Sequence, residues 1–343
     1  MAGYSDARLL PGKLPAASLE AMLGRLQPHD ARIVIGPKLG EDAAVLDMGD
    51  RYLVSTTDPI TFATDRIGWY AVHVNANDVA VLGARPAWFF AVLLLPGQQA
   101  TEAMAAAIFD DIDATCRALG ASLCGGHTEI TAGLDRPIVV GQMLGEVAKD
   151  RLVRKERLAP GDLVLLTRGA AIEGTSILAR EKKDALRGRL ADDAIARAEQ
   201  LLFDPGISIV RAARIATEAG EVHAMHDPTE GGVVTGLYEL GRASGTGLRA
   251  WGHCIHLLPE TVAIARVFDI DPLALIASGA LLIGACPTEA ERIERALAAE
   301  GIPAAVVAEV RPAEAGMLIE RADRWTELLP APRDEIARVL SRT

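Results

Sequence analysis

Acidic residues set among small apolar ones recur in this 343-residue chain. Near its start stand Gly40-Glu41-Asp42-Ala43-Ala44-Val45, Thr57-Asp58-Pro59-Ile60 and Asn75-Ala76-Asn77-Asp78. A carboxylate beside Ala, Val and Ile is costly to bury unless a cation compensates it. Several on separate segments point to one convergent site for Mg²⁺, a hard cation that takes oxygen ligands and usually keeps phosphate among them. Singly, each acid is equally a turn former or a helix cap. As a set they favour metal and nucleotide. Asn75 and Asp78 lie three apart on an expected helix and so share a face, while Val72, Ala76 and Val79 turn toward another.

Two further polar segments carry candidate chemistry. Gly125-Gly126-His127-Thr128-Glu129 follows a short expected strand and reads as a turn. Paired glycines let backbone N–H groups approach an anion closely. The segment is no P-loop, because no Gly-x-x-x-x-Gly-Lys-Ser/Thr occurs. Asp227-Pro228-Thr229-Glu230-Gly231-Gly232 lies at an expected strand-to-helix junction. There Asp227, Thr229 and the two glycines could face a phosphate or a polar substrate. Glu230 at the helix start is an acid complementing the helix dipole. Lys38 and Lys13 are the candidate phosphate-neutralising cations, and for Lys13 a solvated side chain is the simpler reading.

These residues need a scaffold with a large core. Half the residues are apolar and the formal net charge is -11. That balance argues against a nucleic-acid or membrane-surface partner. The four cysteines, Cys116, Cys124, Cys254 and Cys286, form no C-x-x-C pair; buried free thiols in a reducing compartment explain them. No basic segment leads into a long apolar run at the N-terminus, and Ala87 to Pro96 is too short to span a bilayer. A cytoplasmic location is the default expectation.

Residues 1–30 read as an N-terminal arm, 31–150 and 151–330 as two α+β domains, and 331–343 as a tail. Short strands are expected at Ile33–Ile35, Ala43–Leu46, Tyr52–Thr56, Trp88–Leu95 and Ala121–Cys124, and a longer one at Pro137–Val147. Helices are expected at Asp65–Leu82 and Thr101–Leu119, the second capped by Thr101 and ended by Gly120. In the second domain, strands at Asp162–Thr167, Val222–Met225, Ala280–Ala285 and Ala304–Val310 mix with helices at Ile172–Glu181, Asp193–Phe203, Ile207–Ala219 and Glu289–Glu300. The apolar run Leu281 to Cys286 reads as a buried strand.

Together, Gly40 to Val45, Thr57 to Thr61, Ile67 to Pro86, Gly125 to Glu129 and Asp227 to Gly232 resemble the aminoimidazole ribonucleotide (AIR) synthase-like, or PurM-like, superfamily over residues 31–330. Asp58-Pro59-Ile60-Thr61, Ile67 to Val72 and Asp227-Pro228-Thr229 look most like its hydrogenase-maturation branch. The resemblance implies an N-terminal domain that dimerises through its sheets and binds ATP and Mg²⁺, and a C-terminal domain over the site. It implies ATP-dependent phosphorylation of a substrate oxygen, with Asp42, Asp58 and Asp78 at the metal or phosphate site, Asn75, Gly125, Gly126, His127 and Thr128 as nucleotide cradle and Lys38, Asp227 and Glu230 as catalytic residues. It implies a homodimer acting on a small molecule or with a maturation partner protein. His127 stands where the kinase branch has an aspartate, and Glu41 replaces another. The hydrogenase-maturation branch also carries a tail ending in cysteine, whereas this sequence reads Ser341-Arg342-Thr343 there. No carbamoyl or thiocyanate adduct on this chain is therefore expected. A small-molecule kinase related to thiamine-monophosphate kinase, and a nucleotide-binding accessory protein without turnover, are the alternatives.

Overall fold

The computed structural model describes residue 9 and residues 12–27, 29–63 and 65–341. The arm forms a short helix, α1 (Ala16–Leu23), and strands β1 (Ile33–Ile35), β2 (Ala44–Asp47) and β3 (Arg51–Ile60) follow. Then come α2 (Ile67–Ala80), β4 (Arg85–Pro96), α3 (Glu102–Leu119), β5 (Ser122–Thr131) and β6 (Ile138–Ala148). These six strands form one sheet in the order β1-β2-β3-β6-β4-β5, antiparallel except for the β4–β5 pair.

Periodicity decides which face of this sheet is covered. In β4, Ala87, Phe89, Ala91, Leu93 and Leu95 are buried, while Trp88, Phe90, Val92 and Leu94 point the other way and stay partly open. α3 buries Ile108, Ile112, Thr115 and Cys116, a stripe at helical spacing. Thr101 caps it by accepting from the Met104 N–H, and Gly120 ends it in the left-handed conformation, both as expected. α2 is buried on nearly every side. At Gly68 an added Cβ would lie 2.9–3.0 Å from Ile112 N, Asp111 Cβ and Ile108 O, so only glycine lets α2 and α3 approach this closely.

The second half runs β7 (Leu163–Thr167), α4 (Ile172–Glu181), α5 (Lys183–Leu186), α6 (Asp192–Gln200), α7 (Val210–Ala219), β8 (Ala224–His226) and α8 (Gly232–Ser244). It continues with β9 (Gly247–Trp251), α9 (Pro259–Phe268), β10 (Leu282–Ala285), α10 (Pro287–Ala299), β11 (Ala304–Arg311), β12 (Met317–Arg321), β13 (Arg324–Glu327) and α11 (Glu335–Leu340). The seven strands pair as β13-β12-β9-β11-β7-β10-β8, with β9 and β12 parallel. Val164, Leu166 and Leu282 pack toward α8, and the alternating Leu165 and Ile283 toward α7 and α10. Cover on both faces explains why β7 and β10 are apolar throughout.

The two halves meet along α2. The Asn77 amide donates to Ile207 O and accepts from Ile209 N–H, both at 2.9 Å, and the side chain is fully buried. Mixed strands and helices in two sheets agree with the α+β expectation. Four local expectations need correction. Gly125 to Glu129 is not a turn but part of β5. α2 begins at Ile67 rather than Asp65, after Arg66 in a left-handed conformation. Cys286 is not in a buried strand: β10 ends at Ala285 and Cys286 is the half-buried residue before α10. Of the four thiols only Cys116 is buried; Cys124 is exposed. Among the described residues, no helix is long and apolar enough to cross a membrane.

Candidate functional site

Backbone geometry brings four aspartates together. Asp42 lies in the loop entering β2, Asp58 in β3, Asp78 in the last turn of α2, and Asp227 just past β8. Asp58 lies beyond the last β2 partner of β3, which is Ser55. Asn75 fixes it there: its Oδ1 accepts the Asp58 N–H at 2.9 Å, and its Nδ2 donates to Asp58 O at 3.3 Å and Ala71 O at 2.8 Å. The Asn75 amide is spent on protein backbone, so this residue positions Asp58.

Electrostatics explains how so many acids coexist. Burial and the neighbouring Asp227, Asp58 and Asp42 push Asp78 well above the usual carboxyl range. Burial, then Asp42, does the same to Asp227. Asp58 is raised by burial, against a hydrogen bond with Asp78. Thr56 Oγ1 lies 2.7 Å from Asp78 Oδ2 and 3.0 Å from Asp42 O. One hydroxyl proton cannot serve both acceptors. A protonated Asp78 donating to Thr56 frees that hydroxyl to donate to Asp42 O. The hydrogen bonds and the electrostatics therefore agree on a proton held at Asp78.

Asp42 is the anionic member. Burial opposes its charge, but His226 and Lys155 overcome it and hold the carboxyl below its usual range. The Lys155 side chain is 1% exposed; its ammonium donates to Asp42 Oδ2 at 2.7 Å and to Gly40 O. His226 bridges Asp42 Oδ1 at 3.0 Å and Glu239 Oε2 at 3.1 Å through its two ring nitrogens. Burial and Lys155 lower the pKa of this ring, but Asp42 and Glu239 prevail and raise it to about 9.

The cluster gathers donor atoms close enough to share a cation. Donor atoms of Asp42, His226 and Asp227 lie within 4.8 Å of one another. Both carboxylate oxygens of Asp227 are buried without a hydrogen-bond partner, an arrangement that costs free energy unless something compensates it. Asp42, Asp58, Asp78 and Asp227 offer hard oxygens, the donor set that suits Mg²⁺. Glu41 is half-buried, yet both its carboxylate oxygens are out of reach of solvent and unpartnered, and burial raises its pKa.

Other candidates fall elsewhere. Lys38 donates to Ala243 O at 3.2 Å, near the end of α8, where it ties two segments together. Gly125, Gly126, His127 and Thr128 lie on exposed β5, an edge strand, and His127 Nε2 is 3.4 Å from Glu129 Oε2. Register places Asp58 opposite Gly141, Gly141 opposite Ala91, and Ala91 opposite Gly126. The glycine pair is therefore three strand spacings, roughly 14 Å, from the acids. At Gly126 (φ +149) an added Cβ would meet Ala91 O at 1.8 Å. That demand of the β4–β5 pairing explains the glycine without any ligand. Glu230 is partly buried, and burial raises its carboxyl against the lowering effect of Lys13. Lys13 of the arm lies 3.3 Å from Thr229 Oγ1.

Lys155, Glu239 and the bridging role of His226 were not foreseen. Lys155 sits in Arg151-Leu152-Val153-Arg154-Lys155-Glu156-Arg157, where nothing marks it off from neighbouring cations. Its partner Asp42 is 113 residues away.

Two family models cover most of the chain: AIR synthase related protein, N-terminal domain, over residues 40–147, and the C-terminal domain of the same family over 159–319. A putative hydrogenase expression/formation protein of Methanocaldococcus jannaschii is 26% identical over 263 residues, 75% of each chain. Carbamoyl dehydratase HypE of Rhodobacter capsulatus is 29% identical over 287 residues, 81% of this chain and 80% of its own. Among solved structures, hydrogenase maturation protein HypE in complex with ATP superposes with a TM-score of 0.69 at 21% identity, covering 96% of this chain and 98% of its own. A chain of a HypE–HypF complex superposes with a TM-score of 0.71 at 20% identity, covering 93% of this chain and 100% of its own.

Proposed function

Because this chain belongs to the AIR synthase related family, with both its N-terminal and C-terminal domains, we propose that it is an ATP- and Mg²⁺-dependent enzyme that activates a substrate oxygen by phosphorylation. The observation that carries this reading is Asp227, whose two carboxylate oxygens are buried and unpartnered beside Asp42. An ion bound there would relieve both the desolvation and the mutual repulsion of the acids. Asp42, Asp58, Asp78 and Asp227 would hold Mg²⁺, which when bound supplies charge neutralisation for phosphate.

The chain's own residues have distinct tasks. Lys155 and His226 keep Asp42 ionised and fixed in place. Asn75 fixes the Asp58 backbone. Glu230, with its raised pKa, is the group assigned to accept the proton the substrate loses on phosphorylation, which for a carboxamide leaves the amide nitrogen. In the transfer, the bond between the terminal phosphorus and the bridging oxygen breaks, a bond from phosphorus to the substrate oxygen forms, and ADP leaves. Relatives named as carbamoyl dehydratases favour a carboxamide oxygen as the acceptor. The neighbour solved with HypF favours a maturation partner protein as the source of that group. A homodimer, formed through the N-terminal sheet, is part of the same proposal.

Calorimetric titration with Mg·ATP tests the site. Asp227→Asn and Asp42→Asn should each weaken binding by about 10-fold or more, a loss of roughly 1.4 kcal/mol. Unchanged affinity in both variants would remove the cluster from nucleotide binding. Release of ADP on adding carboxamides, carboxylates or thiamine phosphate would then separate amide activation from a small-molecule kinase.

A further inference from the structure

Three buried polar groups with no task in the metal cluster come together where the two halves meet. Tyr70 is on α2, Glu173 in the first turn of α4, and Ser278 on the connection between α9 and β10. None of the three is more than 3% exposed. The Tyr70 hydroxyl, Glu173 Oε2 and Ser278 Oγ each lack a well-aligned hydrogen bond. A buried polar atom without a partner is costly, and such atoms are rare in folded proteins. Backbone contacts place the group beside the turn that carries Asp227. The Gly174 N–H donates to Ile276 O at 3.1 Å, which lays the start of α4 against the segment bearing Ser278. The Ala277 N–H donates to Thr229 O at 3.3 Å, which joins that segment to the turn.

Charge shows what the group would accept. Burial raises the Glu173 carboxyl, Ser278 opposes it, and the acids Asp334 and Glu230 reinforce it. Burial, then Glu173, raises the Tyr70 phenol. Asp334 is already used: its Oδ2 accepts the Gly231 N–H at 2.6 Å and its Oδ1 the Ile336 N–H at 2.7 Å. An anion brought here would lose its hydration and add to the charge of these acids. An uncharged group with both a donor and an acceptor would satisfy the phenol, the hydroxyl and the carboxyl at little electrostatic cost.

We propose that Tyr70, Glu173 and Ser278 form the acceptor pocket of this enzyme, which takes an uncharged polar group, a primary carboxamide being the simplest, and rejects an anion. Calling the bound group an acceptor rests on the Mg·ATP reading above; the pocket itself does not. Tyr70 belongs to the first half, Glu173 and Ser278 to the second. Asp78 and Asp227 are buried at the same joint, so ion and acceptor both enter as the halves part.

The test is saturation-transfer NMR on the full chain loaded with Mg·ADP, with acetamide and acetate as probes. Tyr70→Phe and Ser278→Ala each remove an unpaired polar atom and leave none behind, so both variants should melt no lower than wild type. Each should nevertheless weaken acetamide binding by about 5-fold. Glu173→Ala should weaken it at least as much, whereas Glu173→Gln, uncharged and still both donor and acceptor, should retain it. Acetate should bind far more weakly than acetamide. Equal acetamide affinity in wild type, Tyr70→Phe and Ser278→Ala would overturn the pocket, as would acetate binding as tightly as acetamide. Wild-type protein that shows no acetamide binding would overturn it too, leaving water as the partner of these atoms. Acetamide bound through these residues by a protein that takes up no Mg·ATP would keep the pocket and bring down the nucleotide reading instead.

Discussion

Glu173, in the first turn of α4, is 3% exposed, and one of its carboxylate oxygens has no partner. Burial, with the charges of Asp334 and Glu230 adding, pushes its pKa to about 7 from an ordinary 4.5. The folded-state pKa is raised, so its stabilising contribution is complete below about pH 4.5 and is lost as pH rises through 7. The loss amounts to about 3 kcal/mol. Glu173→Gln should therefore raise the calorimetric melting temperature at pH 8 and leave it nearly unchanged at pH 5. A variant that gains nothing at pH 8 would show that the carboxyl is already compensated. At the same scale, the acids of the cluster were legible in the sequence, because a carboxylate among Ala and Val has few inexpensive explanations. Lys155 was not, because a lysine among arginines looks solvated until the fold brings Asp42 to it.

α2 carries the site on two faces. Asn75 and Asp78 serve the acidic cluster, while Asn77 binds the second half through Ile207 and Ile209. Asn77→Ala would leave a buried carbonyl and a buried N–H unpaired, at about 1–3 kcal/mol each. We expect a loss of about 2–4 kcal/mol in chemical denaturation, with the slope retained if unfolding remains two-state. A loss under 0.5 kcal/mol would mean that water replaces the amide. The existence of α2 was legible from its apolar content and the Gly83 stop. Its closeness to α3 through Gly68 was not, since that glycine shows its purpose only against a neighbouring backbone. β5 was misread for a related reason. It lies at the sheet edge, exposed along almost its whole length, so it lacks the apolar alternation that reveals a strand, and its glycines suggest a turn.

At the scale of the molecule, Trp88, Phe90, Val92 and Leu94 form an apolar stripe on the open face of the first sheet. Beside it runs the unpaired edge of β5, with Ile130 68% exposed. Exposed stripes and edges of this kind are normally covered by a partner. Light scattering at micromolar concentration should give twice the 36.3 kDa chain mass. Phe90→Asp combined with Val92→Asp should return the monomer mass, and a wild-type monomer would contradict pairing through this face. Two mixed layers were readable from strands and helices without strict alternation. β9, β12, β13, α9 and α11 were not, because the short strands carry charged residues and the helices follow Pro259 and Asp334 without long apolar periods.

Asp42 reaches the cluster from the first sheet, while His226 and Asp227 reach it from the second. One ion shared between Asp42 and Asp227 would act as a further rivet between halves already joined by packing, by Asn77, by Lys38 and by the contacts of Asp42 with Lys155 and His226. At one hundred times its dissociation constant, such a ligand adds about 2.7 kcal/mol to the assembled form. Occupancy would then be written into the stiffness of the joint. Amide hydrogens of α2 and α8, far apart in sequence, should slow their exchange together when Mg·ATP is added, although neither helix need change its shape.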